Sequence, residues 1–401
     1  MQPYPFERLK GLLAGASPGA GVSPGASLAP VNLSIGEPRH ATPQLVKDAL
    51  TAALGGLSSY PATAGSPGLR EAIAGWLCRR YQLPAIDADR QVLPVNGSRE
   101  ALFALAQTVI DARDGLPAPW VISPNPFYQI YEGAALLAGA RPYYVQQSPR
   151  DGFRCDWSAV PAAVWSNTAL LFTCSPGNPT GAVMPLAEWR ELFELSDRHG
   201  FVIASDECYS EIYFDESRPP LGALQAARLL GRAEFRRLIV FGSLSKRSNC
   251  PGMRSGFVAG DAALIAPFLL YRTYHGSAMN PAIQAASIAA WNDEAHVVEN
   301  RSRYREKFAA IAPRLAKVMT LTAPEAGFYL WAGVPGGDDI GFVQGLYRQY
   351  NVTSLPGSYL ARDSDAGNPG RGYVRLALVE PLAACVEGCR RIETYLSHHG
   401  R

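Results

Sequence analysis

The chain has 401 residues, and its 37 basic side chains nearly balance its 35 acidic ones, which gives a formal net charge of +2. This balance argues against nucleic acid or an anionic membrane as the main partner, because proteins that bind them usually carry a basic excess. Hydrophobic residues make up 47% of the chain, which excludes a disordered protein. The length predicts two or three domains.

The cysteines and the N-terminus favour a cytoplasmic protein without a metal site. The seven cysteines are scattered and include no Cys-x-x-Cys pair, which is typical of reduced thiols rather than of a disulfide or zinc framework. The six histidines show no metal-ligand spacing. No apolar run approaches the roughly 20 residues of a membrane-spanning helix, and the N-terminus lacks the pattern of a secretory signal.

Short apolar runs alternate with amphipathic stretches through the first two thirds of the chain, which predicts an α/β fold with a largely parallel sheet. The predicted strands are Gln91–Val95, Trp120–Ser123, Pro142–Val145, Ala169–Thr173, Phe201–Ser205 and Leu238–Gly242. The predicted helices between them are Arg99–Asp111, Gln129–Ala138 and Leu186–His199.

The two ends of the chain differ from this central part. Residues 14–30 are rich in Ala, Gly, Ser and Pro, which predicts a flexible surface segment behind an N-terminal arm. The tail predicts a second, smaller α+β domain with long helices at Ala285–Val318, Ile340–Tyr350 and Leu382–Ser397. We therefore predict an arm and part of the small domain at 1–45, a large domain at 46–284 and a small domain at 285–401.

Two charged residues follow buried strands, where parallel sheets carry their chemistry. Asp206 comes directly after Phe201–Ser205, and burying its carboxylate is costly unless it meets a cation; its alternative role is a helix N-cap. Lys246, alone among the five lysines, follows a buried strand. It can lose solvation and lower its pKa, as a covalent bond to an aldehyde requires; the alternative is a lysine that binds phosphate or forms an ion pair.

Small polar residues follow the other strands. Asn178 is held in the Ser175–Gly181 turn, although turn chemistry alone explains the prolines and glycines there. Gly97 and Ser98 open a helix and offer backbone N–H groups to an anion, although serine is also a common N-cap. Hydroxyl and guanidinium groups that could bind a phosphate lie around the lysine, at Ser243, Ser245 and Arg254. Together these groups are the parts that hold pyridoxal phosphate.

Four motifs carry a resemblance to a known family. They are SPGNPTG at Ser175–Gly181, SDECY at Ser205–Tyr209, SLSKRSNCPGMR at Ser243–Arg254 and YVRL at Tyr373–Leu376. From about Val31 to its end, the chain resembles the class I/II aminotransferases of the fold-type I pyridoxal-phosphate enzymes. The resemblance implies a large domain with a mostly parallel seven-stranded sheet between helices, a smaller α+β domain, pyridoxal phosphate, an amino donor and a 2-oxo acid acceptor.

The resemblance also implies roles for individual residues. Lys246 would bind the cofactor covalently and move the proton, Asp206 would pair with the pyridine nitrogen, and Asn178 and Tyr209 would donate to the phenolate oxygen. The phosphate would lie among Gly97, Ser98, Arg99 (mainly through its backbone N–H), Ser243, Ser245 and Arg254. Tyr128 would stack on the cofactor ring. Tyr60 would bind the phosphate of the partner subunit, which implies a homodimer with shared active sites. The residues that would bind the substrate are Gly36, Asn178, Arg375 and Arg272.

Three further stretches, Pro3–Leu9, Asn32–His40 and Pro124–Ala134, resemble the succinyldiaminopimelate aminotransferases of bacterial lysine biosynthesis. This implies N-succinyl-LL-2,6-diaminopimelate as donor, 2-oxoglutarate as acceptor and a ping-pong mechanism. The three carboxylates of that donor need cations besides Arg375, and the candidates are Arg39, His40, Arg247 and Arg272. The alternatives are an aminotransferase of aspartate, aromatic or alanine type, and a pyridoxal-phosphate-dependent carbon–sulfur lyase.

Overall fold

The computed structural model describes residues 1–18, 28–112, 116–232 and 234–399. The central part of the segment predicted to be flexible, residues 19–27, lies outside these ranges. Among the described residues, no helix combines the length and the apolar character that a bilayer span requires.

Helices and strands alternate along the chain. The strands are β1 (Val31–Asn32), β2 (Val92–Val95), β3 (Trp120–Asn125), β4 (Arg141–Gln146), β5 (Thr168–Cys174), β6 (Val202–Asp206), β7 (Leu238–Ser243), β8 (Gly256–Gly260), β9 (Thr320–Leu321), β10 (Tyr329–Gly333), β11 (Val352–Thr353), β12 (Leu355–Pro356) and β13 (Tyr373–Ala377). The helices are α1 (Pro5–Leu13), α2 (Gln44–Ala52), α3 (Pro67–Tyr81), α4 (Ser98–Val109), α5 (Ile130–Leu137), α6 (Ala162–Trp165), α7 (Leu186–His199), α8 (Ala223–Leu229), α9 (Leu244–Arg247), α10 (Ala262–His275), α11 (Pro281–Asn292), α12 (Ala295–Leu315), α13 (Asp339–Tyr350) and α14 (Leu382–His399).

A seven-stranded sheet in the order β2-β8-β7-β6-β5-β3-β4 forms the centre of the large domain. β4, β3, β5, β6 and β7 are parallel, and β8 is antiparallel to both of its neighbours. The predicted fold class is confirmed. The apolar pattern did not predict β8, whose five residues begin and end with glycine.

Both faces of this sheet are covered, which explains the continuous apolar runs of its strands. Leu171, Ile203 and Val240 belong to one hydrophobic cluster, whereas the neighbouring residues Leu170 and Ile239 belong to a second cluster on the opposite face. Successive side chains on a strand point to opposite faces, so a run without polar residues is required wherever helices cover both.

The proline in β2 occupies a position that the sheet can accept. β2 is the first strand in the order and pairs with β8 alone, with Pro94 opposite Phe257. Proline cannot donate a ladder hydrogen bond and is therefore confined to edge strands.

The second hydrophobic unit combines the two ends of the chain. An antiparallel sheet in the order β12-β13-β10-β9 packs with the C-terminal helices, and the short strand β1 pairs in parallel with β11. Leu9 and Val31 join this cluster. The N-terminal arm is therefore part of the same core as the C-terminal region.

The predicted helix Ala285–Val318 is wrong in one respect, because two helices occupy this range. The backbone of Asp293 is extended, and its carboxylate accepts a hydrogen bond from the backbone N–H of His296, 3.0 Å away, at the start of α12. An aspartate that satisfies a free N–H group starts a new helix. Ala286, Ala290 and Trp291 of α11 pack in the large-domain cluster; the division at residues 45 and 284 stays a prediction.

A buried ion pair joins the two units. Arg362, which follows the small sheet's β12, donates from Nη2 to Glu132 Oε2 at 2.6 Å and from Nε to Glu132 Oε1 at 2.7 Å. Glu132 lies in α5, and the two side chains are only 10% and 7% exposed. Burial acts to raise the pKa of Glu132, but hydrogen bonds from Arg362 and Tyr144 outweigh it and lower that pKa.

We expect Arg362→Ala to lower the thermal midpoint of unfolding by several degrees, because breaking a buried pair leaves an uncompensated charge at a cost of about 3–5 kcal/mol. Arg371→Ala, at an exposed position, is the control. Since Arg362 lowers the pKa of Glu132, the pair stabilises the fold above the pKa of the unfolded carboxyl, and this contribution is lost as the pH falls through the folded pKa. If Arg362→Ala had the same thermal midpoint of unfolding as the wild-type chain at neutral pH, this stabilising role would be contradicted.

Candidate active site

The candidate site lies where β5, β6 and β7 end. Asp206 is the last residue of β6, Lys246 lies in α9 directly after β7, and Asn178 lies in the turn after β5. The parallel strands bring these three chain segments to one edge of the sheet, as expected for chemistry in this fold.

Asp206 is a buried carboxylate that is held by neutral groups. It is 4% exposed, and its oxygens accept hydrogen bonds from the Tyr131 hydroxyl at 2.9 Å and from the Cys208 backbone N–H at 3.2 Å. Burial raises the pKa of Asp206, and these hydrogen bonds act against the rise. Among the described residues, no ion pair joins Asp206 to a cationic side chain. A cation that binds here would therefore be strongly favoured.

Tyr131 was missed in the sequence. Its ring is 1% exposed and stacks on Phe172 at 4.7 Å between centroids, which fixes the direction of the hydroxyl towards Asp206. The residue lies in the first turns of an amphipathic helix, where an aromatic side chain indicates only a core position. Its position three residues after Tyr128 was the one available signal.

Lys246 is enclosed without an acidic partner. Its Nζ donates to the backbone carbonyl of Gly36 at 2.5 Å and lies 5.5 Å from the centroid of the Phe328 ring. Burial lowers the pKa of Lys246 to about 8. A larger fraction of the amine is therefore uncharged near neutral pH than for an exposed lysine, and the uncharged amine is the form that acts as a nucleophile or a base.

Tyr209 and Tyr329 form a hydrogen-bonded pair beside the lysine. Their hydroxyl oxygens are 3.0 Å apart, and burial raises the pKa of both groups, so both remain neutral hydroxyls. A Cβ on Gly36 would overlap the Tyr329 hydroxyl. Glycine at residue 36 therefore lets this hydroxyl and the Lys246 amine approach the same stretch of backbone. Tyr329, within β10, was also missed in the sequence.

Arg375 lies on β13 and is directed towards the turn after β5. Its Nη1 donates to Asn178 Oδ1 at 3.1 Å and its Nη2 donates to the Ser34 carbonyl at 2.7 Å. The guanidinium carbon lies 4.4 Å from the centroid of the Tyr329 ring. Its Nε is buried and has no partner among the described residues. No carboxylate in the described part of the chain pairs with this guanidinium, which leaves it able to bind an anionic ligand.

The groups predicted to hold a phosphate converge at the start of α4. Gly97 has a φ of 85°, and a Cβ there would overlap the Arg254 guanidinium. The Ser243 hydroxyl accepts from the Ser245 backbone N–H at 3.1 Å, and the Cys208 thiol donates to the Ser98 hydroxyl at 3.1 Å. Backbone N–H groups at a helix start, two hydroxyls and a guanidinium form a suitable phosphate site.

Tyr128 and Arg99 lie beside this candidate phosphate site. The Arg99 Nε donates to the Tyr128 hydroxyl at 2.5 Å, and the Tyr128 ring packs edge-on against Tyr131, with 5.8 Å between centroids. This places the predicted stacking residue next to the tyrosine that holds Asp206. The predicted role of Arg99 was mainly its backbone N–H, and its side chain is indeed engaged elsewhere.

Two predicted site residues lie apart from this assembly. Tyr60 is fully exposed, so it contacts none of the other site residues. Arg272 is fully enclosed: it bonds both carboxylate oxygens of Glu100 at 2.7 and 2.6 Å and the Ser277 carbonyl at 2.9 Å. The geometry gives no support to a substrate contact by Arg272.

The other residues predicted to bind the substrate's carboxylates either pair with carboxylates of the chain or are neutral. Arg247 is buried against Glu294, with an Nη2–Oε1 distance of 2.5 Å. Arg39 lies within 4 Å of two carboxylates. Burial lowers the pKa of His40 to about 4, which makes it neutral at physiological pH.

These residues fit pyridoxal phosphate on the geometry of the protein alone. Asp206 lacks a cation that the pyridinium nitrogen would supply, and Lys246 presents an amine without an acidic partner. The residues that would bind the phosphate, Gly97 and Arg254, approach each other at the other end of the site. The donors of Tyr209 and Asn178 lie between these two ends, beside Arg375.

Comparison with known proteins agrees with this site. The family described as "Aminotransferase class I and II" matches residues 29–385. An LL-diaminopimelate aminotransferase of Desulforudis audaxviator is 31% identical over 98% of this chain and 95% of its own length. The crystal structure of an aminotransferase from Neisseria meningitidis is 52% identical, with a TM-score of 0.93 over 100% of this chain and 98% of the other. A Thermus thermophilus structure described as a "probable N-succinyldiaminopimelate aminotransferase" is 28% identical, with a TM-score of 0.82 over 92% and 95% of the two chains.

The chain therefore belongs to the class I and II aminotransferases. Enzymes of this type use pyridoxal phosphate, and the predicted family and cofactor are both confirmed.

We expect Lys246→Ala to abolish both transamination and covalent attachment of the cofactor, because no other described lysine lies at the end of a large-sheet strand. Borohydride reduction of the loaded protein, followed by peptide mapping, measures the attachment. Lys317→Ala, at an exposed position, is the control and should be labelled like the wild-type chain. A label on any peptide without Lys246 would disprove the assignment.

We expect Tyr131→Phe to lower kcat/KM by about tenfold or more, because a hydrogen bond to a charged group contributes about 1.5–3 kcal/mol. The cofactor should remain bound, and the pH dependence of its absorbance should shift, since Tyr131 acts through Asp206. Tyr143→Phe, on the nearby strand β4, removes a hydroxyl without a bond to Asp206 and serves as the control. Equal losses in the two variants would exclude a positioning role.

Proposed function

We propose that the protein transfers the amino group of N-succinyl-LL-2,6-diaminopimelate to 2-oxoglutarate, in the diaminopimelate route of lysine biosynthesis. The observation that carries the proposal is the Arg375 guanidinium, which has no acidic partner and lies beside Asn178 and the ring of Tyr329. Such a fork suits the α-carboxylate of an amino acid. The sequence likeness of three stretches near the site, and the Thermus thermophilus structure, support the choice of donor.

The balance of charges supports the acylated donor over free diaminopimelate. N-Succinyl-diaminopimelate carries three carboxylates and one amine, whereas free LL-diaminopimelate carries two of each. Glu37 and Glu380 both lie near Arg39, whereas Arg375 and Arg8 have no carboxylate partner among the described residues. An excess of cations favours the more anionic donor.

Free LL-diaminopimelate is the second candidate donor. It is favoured by one observation, the name of relatives that are 31% identical over nearly the whole chain. A distal ammonium would need an acidic group at the mouth of the site. The candidate is Glu37, whose side chain is 50% exposed and whose Oε2 lies 3.7 Å from Nη2 of Arg39.

The residues of the chain divide the reaction between them. Arg375 and Asn178 orient the donor through its α-carboxylate, and the uncharged amine of Lys246 removes the proton from the α-carbon. Pyridoxal phosphate, when bound, accepts the electron pair that proton removal leaves behind. The Asp206 carboxylate would stabilise a protonated ring nitrogen of the cofactor, and the Tyr131 hydroxyl orients that carboxylate. We expect ping-pong kinetics, because donor and acceptor use the same groups in turn.

We also propose a homodimer with shared active sites in the cytoplasm. Tyr60 is fully exposed and lies in a stretch with two exposed leucines, Leu54 and Leu57. An exposed apolar patch of this kind is typical of an interface, and the predicted role of Tyr60 needs the phosphate of a second subunit. The seven cysteines are free, as suits a reducing compartment.

We expect the purified protein to use N-succinyl-LL-2,6-diaminopimelate with a kcat/KM about tenfold or more above those for LL-diaminopimelate, aspartate, phenylalanine and alanine. The assay measures glutamate formed from 2-oxoglutarate. A preference for LL-diaminopimelate would select the second candidate, and a preference for a simple donor would reject the lysine pathway. Release of ammonia, a keto acid and a thiol from a sulfur-containing amino acid, without any acceptor, would indicate the carbon–sulfur lyase.

A further inference from the structure

The N-terminal arm crosses from one hydrophobic unit to the other over the site. Met1 Sδ lies 4.0 Å from the position that a Cβ on Gly133 of α5 would occupy. The pKa of Tyr128 is raised first by burial and next by the nearby Tyr4 hydroxyl. Five residues after Tyr4, α1 is anchored by Leu9, which is buried in the small-domain cluster. The N-terminal segment from Met1 to Leu9 therefore contacts both hydrophobic units.

This turn lies against the group that binds the α-carboxylate. The ring centroid of Phe6 lies 5.9 Å from the guanidinium carbon of Arg375. Phe6 is half-buried and packs against the small-domain cluster. Phe6 therefore places the first turn of α1 beside the guanidinium that would bind the α-carboxylate of the donor.

Arg8, two residues further along the same helix, is an unneutralised cation. Its guanidinium carbon lies 3.8 Å from the centroid of the Tyr359 ring, which holds the side chain in place. Tyr359 precedes Leu360, whose carbonyl accepts a hydrogen bond from the Phe127 backbone N–H, so Arg8 lies where the small domain meets the segment that contains Tyr128. Among the described residues, no ion pair or side-chain hydrogen bond engages the Arg8 guanidinium.

The other cations considered for the donor are committed to different partners. Arg247 and Arg272 are buried in ion pairs, Arg39 faces two carboxylates, and the Nε of Arg99 is bonded to a tyrosine hydroxyl. Arg8 keeps its donors free and is already fixed by the Tyr359 ring, so little side-chain freedom is lost when it binds an anion.

We propose that the first turn of α1 forms the outer wall of the donor pocket and that Arg8 pairs with a carboxylate at the far end of the donor. This inference rests on the proposed function in that it assumes a long dicarboxylic donor. It assigns specificity to a residue outside the predicted site, on the chain's own N-terminal helix.

The test compares two donors of equal chain length, 2-aminoheptanedioate and 2-aminoheptanoate, which differ by the distal carboxylate. We expect the wild-type holoenzyme to prefer the diacid by about tenfold in kcat/KM, mainly through KM, because a hydrogen-bonded charge pair is involved. Arg8→Gln should reduce this preference to about twofold or less, and Arg8→Lys should retain part of it. The control is Lys10→Gln, which removes an exposed cation from the same helix and should leave the preference unchanged.

Equilibrium binding gives a second readout that does not depend on turnover. Heptanedioate should bind the wild-type holoenzyme more tightly than heptanoate, and Arg8→Gln should remove this difference. An equal preference in the wild-type chain and Arg8→Gln, in either measurement, overturns the inference. If N-succinyl-diaminopimelate is not a substrate but the two ligand pairs still depend on Arg8, the proposed function fails and the role of Arg8 stands.

Discussion

The site is organised around one carboxylate that the fold buries without neutralising it. Asp206 ends a strand that is apolar on both faces, and the groups that bond it, the Tyr131 hydroxyl and the Cys208 backbone, carry no charge. Such a group is costly to bury alone and becomes favourable when a cation binds. The same short segment also contacts the candidate phosphate site, because the Cys208 thiol donates a hydrogen bond to the Ser98 hydroxyl. Three consecutive residues, 206–208, therefore connect the proposed partner of the ring nitrogen to the proposed phosphate site.

The second constraint comes from the segment that precedes α2. The carbonyl of Ser34 accepts from Arg375, and the carbonyl of Gly36 accepts from Lys246. Two backbone carbonyls, two residues apart, thus set the position of the Arg375 guanidinium relative to the Lys246 amine. β1, just before this segment, pairs with β11, so the small domain holds it in place. Displacing this segment would separate the two groups that must act on one substrate.

The sequence was sufficient to predict the candidate site residues that lie at the end of a strand or directly after it. Asp206 and Lys246 were found because a charged residue after an apolar run is unusual, and the sheet then brings both to one edge. Tyr131 and Tyr329 were not found, because an aromatic residue inside a helix or strand looks like any core residue until its hydroxyl has a partner. Arg272 was chosen for its position in the chain, and its buried pairing with Glu100 joins residues 172 positions apart, which no local pattern predicts.

Arginine pairing also explains why overall composition says so little about the substrate. A net charge of +2 conceals the fact that buried arginines such as Arg247 and Arg362 are paired with carboxylates of the chain and are not free to bind a ligand. What a ligand meets is the set of cations left over, of which Arg375 lies inside the site and Arg8 at its outer wall. Two guanidinium groups that have no carboxylate partner among the described residues, those of Arg375 and Arg8, favour a ligand with negative charge at both ends. A short neutral donor could engage only the inner one, so the chain's preference among amino acids depends on where its arginines remain unpaired.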